Sequence, residues 1–318
     1  MFKTRRSHAH GANPMSPIPV TFGLARIALG VVNAYCVSEP GGRWFLVDTG
    51  FPGQAEQLRQ ALSELGLTSR PEHILLTHAH FDHAGGARTL ARAWSVPVYV
   101  HPLDIAYTQG RDYPKSDPTV GGALAMVTRL HRGPSAAHVG DAATPLPEDG
   151  VVPGFAEWRW LHTPGHTPGH VSLWREGDRT LIAGDACVTT DSDSFAALVI
   201  QTRRVCRPGA PTTYDWGAAR RSVGVLASLR PRCLACGHGN PIVGPAAAQD
   251  LERLARTFQA PERGRYVAEP VQFGPDGPTR IPKQVPDPLP RQLGLAVLGG
   301  IAALIGWRTI RKAGGHHG

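Results

Sequence analysis

Residues 76–86 read "LTHAHFDHAGG", and no other stretch restricts the fold as much. Within it, His78, His80, Asp82 and His83 crowd together. The apolar run "HILLT" ahead of them has the composition of a buried strand. On an extended strand end His78 and His80, two residues apart, point to the same side. Asp82 and His83 fall in the turn just beyond, so all four side chains can converge on one spot. Crowding imidazoles against a carboxylate is costly unless something cationic holds them. Helical zinc motifs place histidines at i and i+4 around a glutamate; the spacing here belongs to a strand running into a loop. The chain must therefore fold so that a buried strand ends at a cation-sized polar cluster.

The surrounding segments alternate between strand and helix. "IALGVVNAYCV" (27–37) and "RWFLVDTG" (43–50) are strand-like and separated by the turn signal Glu39-Pro40-Gly41-Gly42. The spacing of Ala55, Leu58, Ala61, Leu62 and Leu65 predicts a helix over 53–67. A helix over 84–94 and a strand over 97–102 follow the cluster. Residues 103–157 are rich in Pro, Gly and Asp and read as a long irregular loop, a feature often functional. Three strand-like segments come next ("EWRWLHTP", "HVSLWRE", "RTLIAGDA"), then a helix over 216–230, a strand over 233–239 and a helix over 245–259 with Pro at its start. Such alternation fits an α/β layered fold.

Three more strand ends carry possible ligands. "HTPGHTPGH" holds His162, His166 and His170, but Pro164, Gly165, Pro168 and Gly169 forbid a regular helix, so at most one or two face the cluster. His166, central in the turn, is the best placed. "IAGDA" ends a strand at Asp185, and "CGHG" ends one at His238.

These residues, in this order, resemble the metallo-β-lactamase superfamily. The match consists of "VDTG" (47–50), "THAHFDH" (77–83), "TPGHTPGH" (163–170), "AGDA" (183–186) and "GHG" (237–239). The resemblance implies an αβ/βα four-layer sandwich of two mixed β-sheets flanked by helices, with metals at one edge between the sheets. It implies that His78, His80 and His166 bind one metal, that Asp82, His83 and His238 bind a second, and that Asp185 bridges both. Asp48 resembles a buried acid that orients ligands, and His170 a supporting residue. Bridging Asp185 places the chain nearer the glyoxalase-like and lactonase-like hydrolases than the β-lactam-degrading members. The expected cofactors are two divalent ions, Zn²⁺ foremost, with iron or manganese also suited to such ligands. The expected function is hydrolysis of an ester, thioester or lactone by a metal-bound hydroxide, which zinc supplies near pH 7. Asp82 is the candidate for a catalytic role, hydrogen-bonding the nucleophile and carrying its proton. Two alternatives stand beside this: a mononuclear iron enzyme of the persulfide dioxygenase kind, and a phosphodiester-cleaving nuclease.

The formal charge of +8 comes mainly from scattered arginines. No basic stripe interleaved with aromatics is present, so a nucleic-acid partner is not expected and the partner is a small acyl substrate. Five sparse cysteines do not describe a disulfide scaffold. No apolar run follows the polar residues 1–17, so a cytoplasmic location is expected. Cys233 and Cys236 form an isolated C-x-x-C, read as two small core residues, as is Cys187. The loops at 103–157 and 189–216 are expected to wall the pocket, with Tyr107, Tyr113, Phe195, Tyr214 and Trp216 as candidate lining residues.

By domain, residues 1–17 read as a flexible segment, 18–260 as the hydrolase domain, 261–290 as a proline-rich linker and 291–312 as a hydrophobic C-terminal helix. Residues 292–307 carry no charge and have flanking arginines. They would span roughly 24 Å as a helix, short of the ~30 Å hydrocarbon core, so membrane association through this tail is a marginal expectation.

Overall fold

A computed structural model of the protein describes residues 16–194, 196–197 and 203–287. The first strands run β1 (Ile18–Thr21), β2 (Leu24–Leu29), β3 (Val32–Ser38) and β4 (Trp44–Val47). The expected single run at 27–37 is a hairpin, because Gly30 takes a φ of 78° that an L side chain resists, and turns the chain back. Helix α1 (Ala55–Glu64) leads to β5 (Ile74–Leu75), the short α2 (Phe81–Ala84), α3 (Ala87–Trp94) and β6 (Val98–Val100). These join β7 (Ala143–Pro145) in one seven-stranded sheet, antiparallel from β1 to β4 and parallel from β4 to β7.

The second sheet contains β8 (Val151–Val152), β9 (Phe155–His162), β10 (Val171–Arg175), β11 (Thr180–Gly184), β12 (Cys233–Cys236) and β13 (Ile242–Val243), in the order β13-β12-β11-β10-β9-β8. Only β11 and β12 run parallel. Two long helices, Trp216–Ser228 and Pro245–Thr257, accompany this half.

Strand alternation builds the layers. In β4, Phe45 and Val47 join Leu173, Ile182 and Trp158 in the core between the sheets, whereas Trp44 and Leu46 face Leu58 and Leu90 of the helices. In β12, Cys233 and Ala235 face the inter-sheet core, while Leu234 and Cys236 pack with Val223 and Leu251. This is the four-layer αβ/βα arrangement expected from the motifs.

Two further expectations differ from what the chain does. Residues 103–157 hold short elements, including α4 (Ile105–Thr108) and α5 (Gly122–Leu130), because local caps such as Asp117, accepting from Thr119 N, end and start turns within a few residues. Residues 265–280, read as linker, form a helical turn at Arg265–Ala268 and a hairpin of β14 (Gln272–Gly274) and β15 (Gly277–Arg280). Tyr266 and Val271 bury against Tyr214, so this segment belongs to the domain and extends it past residue 260. No helix among the described residues is long and apolar enough to cross a membrane; the apolar tail at 292–307 lies outside them.

Candidate metal centre

Strand ends from both sheets meet at one edge. Val171 N donates to Thr77 O (2.8 Å), and Asn33 N to Gly237 O (2.8 Å), tying the sheets together at this point. His78, His80, Asp82 and His83 follow β5; His166 lies between β9 and β10; Asp185 follows β11 and His238 follows β12. Their side-chain atoms form three overlapping groups, each within 4.8 Å: His78, His80 and His166; His78, His83 and Asp185; Asp82, His83 and His238. The seven residues expected as ligands thus lie together. Of the three histidines in "HTPGHTPGH", His166 alone has its ring in these groups. His162 turns away, its Nε2 donating to Pro168 O (2.8 Å) and its ring stacked on His101 at 4.1 Å.

Hydrogen bonds fix which ring nitrogen is free. The Asp48 carboxylate accepts from Thr77 N and Thr77 Oγ1, both at 2.8 Å, and from His83 Nδ1 at 2.9 Å. Since the Thr77 hydroxyl donates to Asp48, its oxygen accepts from His78 Nδ1 (3.0 Å). His238 Nδ1 donates to Val31 O (2.7 Å). For His78, His83 and His238 Nδ1 therefore carries a proton, and it is Nε2 that faces the cluster. His83 Nε2 lies 3.6 Å from both Asp82 Oδ2 and Asp185 Oδ2, and His238 Nε2 lies 3.2 Å from Asp185 Oδ2. His80 Nδ1 and His166 Nε2 approach to 3.0 Å.

His170 has no nitrogen to spare. Its Nδ1 bonds the Thr163 hydroxyl (2.8 Å) and its Nε2 accepts from Asp185 N (2.9 Å), so it props the backbone that presents Asp185. Glycines give the cluster room: a Cβ at Gly237 would collide with Asp185 Oδ1, and one at Gly184 would lie 2.7 Å from His170 Nε2.

Burial sets the charge states. It pushes His78 and His166 well below the ordinary imidazole value and His80 down to about 4, with neighbouring imidazoles adding to the effect at His78 and His166. Burial also opposes charge on His83, but Asp185 and Asp82 outweigh it and raise that ring. The Asp185 carboxyl is likewise opposed by burial, yet His238 and His83 hold it well below the usual carboxylate range.

Tyr113 and Tyr214 stand beside the cluster, with ring centroids 4.7 and 6.2 Å from His80. Tyr107 stacks behind Tyr113 at 3.9 Å. Trp216 packs instead in the helix-side core with Phe258, and Phe195 lies outside the described residues. Cys233 and Cys236 face opposite sides of β12, and all five cysteines are free.

Several participants carry no sequence signal of their own. Thr77 looks like any strand threonine, and Asp104 like a cap. Buried Asp104 accepts from Tyr113 Oη (2.7 Å), Thr167 Oγ1 (3.0 Å) and Gly169 N (2.8 Å), pinning the loop that carries His166. Asn33 stands out only as the one amide side chain in "VVNAYCV".

The model of the metallo-β-lactamase superfamily matches residues 27–238. The chain is 38% identical over 247 residues to the probable metallo-hydrolase YflN of Bacillus subtilis (strain 168), covering 75% of this chain and 92% of the relative. A second Bacillus subtilis (strain 168) protein, probable metallo-hydrolase YybB, is 32% identical across 63% of this chain and 77% of its own. Among solved structures, a metallo-β-lactamase family protein from Thermus thermophilus shares 25% identity at a TM-score of 0.52, covering 75% of this chain and 80% of that one. By its matched span, its relatives and its fold, the chain belongs to the metallo-β-lactamase superfamily.

Proposed function

We propose that the chain is a dinuclear metal-dependent hydrolase of an ester, thioester or lactone. The observation that carries this reading is a set of buried atoms left without a protein partner: His78 Nε2, His80 Nε2 and Asp185 Oδ1. Unpaired buried polar atoms are expensive, and the three residues that carry them all belong to the metal-sized groups of ligands. The donor set fits divalent cations, zinc foremost. His78, His80 and His166 would hold one ion, Asp82, His83 and His238 the other, and Asp185 would lie between them. When bound, such a pair supplies a water ionised near neutral pH and Lewis acidity toward a carbonyl oxygen.

The protein's own groups do the rest. Burial keeps His78, His80 and His166 neutral, so their lone pairs stay available. Asp48 and Thr77 lock the tautomers of His83 and His78. Asp82, 19% exposed against 5% for Asp185, is the carboxylate nearer solvent. We assign it the proton traffic: it accepts a proton as water attacks the acyl carbon and returns it to the departing alkoxide or thiolate. The Tyr113 hydroxyl donates to Asp104 and so holds the wall in shape.

An aspartate at position 185 supports the glyoxalase-like and lactonase-like branch, and the names of the two Bacillus relatives support hydrolysis. The test is a panel of thioesters, lactones and phosphodiesters on protein of known metal content. Turnover of acyl compounds alone is expected. Cleavage confined to phosphodiesters, or persulfide oxygenation with one iron per chain, contradicts the proposal.

A further inference from the structure

The loop that carries His238 is clamped from the opposite sheet. Asn33, 1% exposed on β3, donates its amide hydrogens to Cys236 O (2.9 Å) and Gly239 O (2.7 Å), the carbonyls on either side of Gly237-His238. Its backbone N–H takes Gly237 O. Tyr35 Oη also donates to Cys236 O (2.7 Å), and Thr189 reaches His238 O through its N–H (3.0 Å) and its hydroxyl (3.1 Å). Every carbonyl from 236 to 239 therefore has a donor.

Arg26 settles which way Asn33 points. It is 7% exposed and forms no ion pair among the described residues. Its Nε donates to Asn33 Oδ1 (2.7 Å) and its Nη1 to Asn240 Oδ1 (2.5 Å). A buried guanidinium needs acceptors, so the Asn33 oxygen must face Arg26 and both amide hydrogens must face the loop. None of the hydrogen bonds of Asn33 reaches the segments bearing His78, His80 or His166.

We propose that Asn33, oriented by Arg26, is a positioning residue for His238, and that it governs ion binding at Asp82, His83 and His238 while leaving His78, His80 and His166 untouched. This deepens the two-metal reading and rests on it. His83 is anchored independently of the clamp, by Asp48 at its ring and Thr49 at its carbonyl; His238 depends on a loop whose shape Asn33 dictates.

The test is Asn33→Asp in the full chain. An aspartate keeps the shape and can pair with Arg26, but it has no hydrogens for the loop and repels its carbonyls. Metal-free wild type and variant are titrated with Co²⁺, following bound ions per chain and the visible d–d absorption, with thermal melts of the metal-free forms as the folding control. The expected wild type takes two ions. N33D retains the first step and its spectrum, while the second weakens about 10- to 100-fold. Arg26→Met, which frees the amide to flip, gives the same selective loss to a smaller degree and decides the matter should N33D not fold. Two wild-type-like steps in the variants, or parallel weakening of both, overturn the proposal alone. A wild type that takes fewer than two ions overturns the two-metal reading and this proposal with it.

Discussion

His83 Nδ1 donates to Asp48 Oδ2 at 2.9 Å, and Asp48 holds that position from a left-handed backbone with φ of 57°. Such a conformation is unfavourable for a non-glycine residue, and here it lets one carboxylate serve His83 and both donors of Thr77 at once. Replacing it by Asn puts an NH2 group against one of those donors. Asp48→Asn is expected to weaken metal binding about 10- to 100-fold, read by competition with a chromophoric chelator. Unchanged affinity would remove the orienting role assigned to Asp48.

Asp185 Oδ2 lies 3.6 Å from Nε2 of both His83 and His166 and 3.2 Å from that of His238. With Asp185 placed between the two proposed ions, Asp185→Asn is expected to lower metal content and turnover together. Full turnover with unchanged stoichiometry would contradict the assignment.

Gly237 has no space for a methyl group, because its Cβ would strike Asp185 Oδ1 and lie 2.6 Å from His83 Cε1. Gly237→Ala is expected to leave a folded protein with far less bound metal. A variant that binds metal like wild type would show that the loop yields easily.

Asp104 gives a pH signature away from the ligands. Burial pushes its carboxyl up to about 6, against hydrogen bonds from Tyr113, Gly169 and Thr167. The folded state then binds this proton more tightly than the unfolded one. The resulting stabilisation is complete below the ordinary value of 3.8 and is lost as pH rises through about 6. Asp104→Asn has no such titration. The unfolding free energy of metal-free wild type minus that of D104N should fall between pH 4 and pH 7, by no more than about 3 kcal/mol. Urea melts across that range measure it, and a difference that grows with pH would contradict the assignment.

The local part of the site was legible because strand geometry alone brings His78, His80, Asp82 and His83 together. The layers were legible for a similar reason, since apolar runs and helical spacing report burial directly. Asp104 and Asn33 were not legible as partners of the site. Asp104 bonds residues up to 65 positions away, Asn33 ones up to 206 away, and neither spacing leaves a local pattern. The segment at 265–280 was misread because Pro and Gly mark a linker and a tight hairpin alike; what distinguishes them is Tyr266 burying against Tyr214, with ring centroids 5.3 Å apart. His162 and His166 share the same repeated motif, and only the path of the loop separates the ring stacked on His101 from the ring facing Asp185.

Elemental analysis of the purified chain, with Asp185→Asn alongside, tests the two-metal reading. A two-metal centre predicts about two divalent ions per wild-type chain, zinc foremost, and a clear loss in the variant. A folded, hydrolytically active wild-type chain that carries no metal, or a single ion indifferent to Asp185, would contradict it.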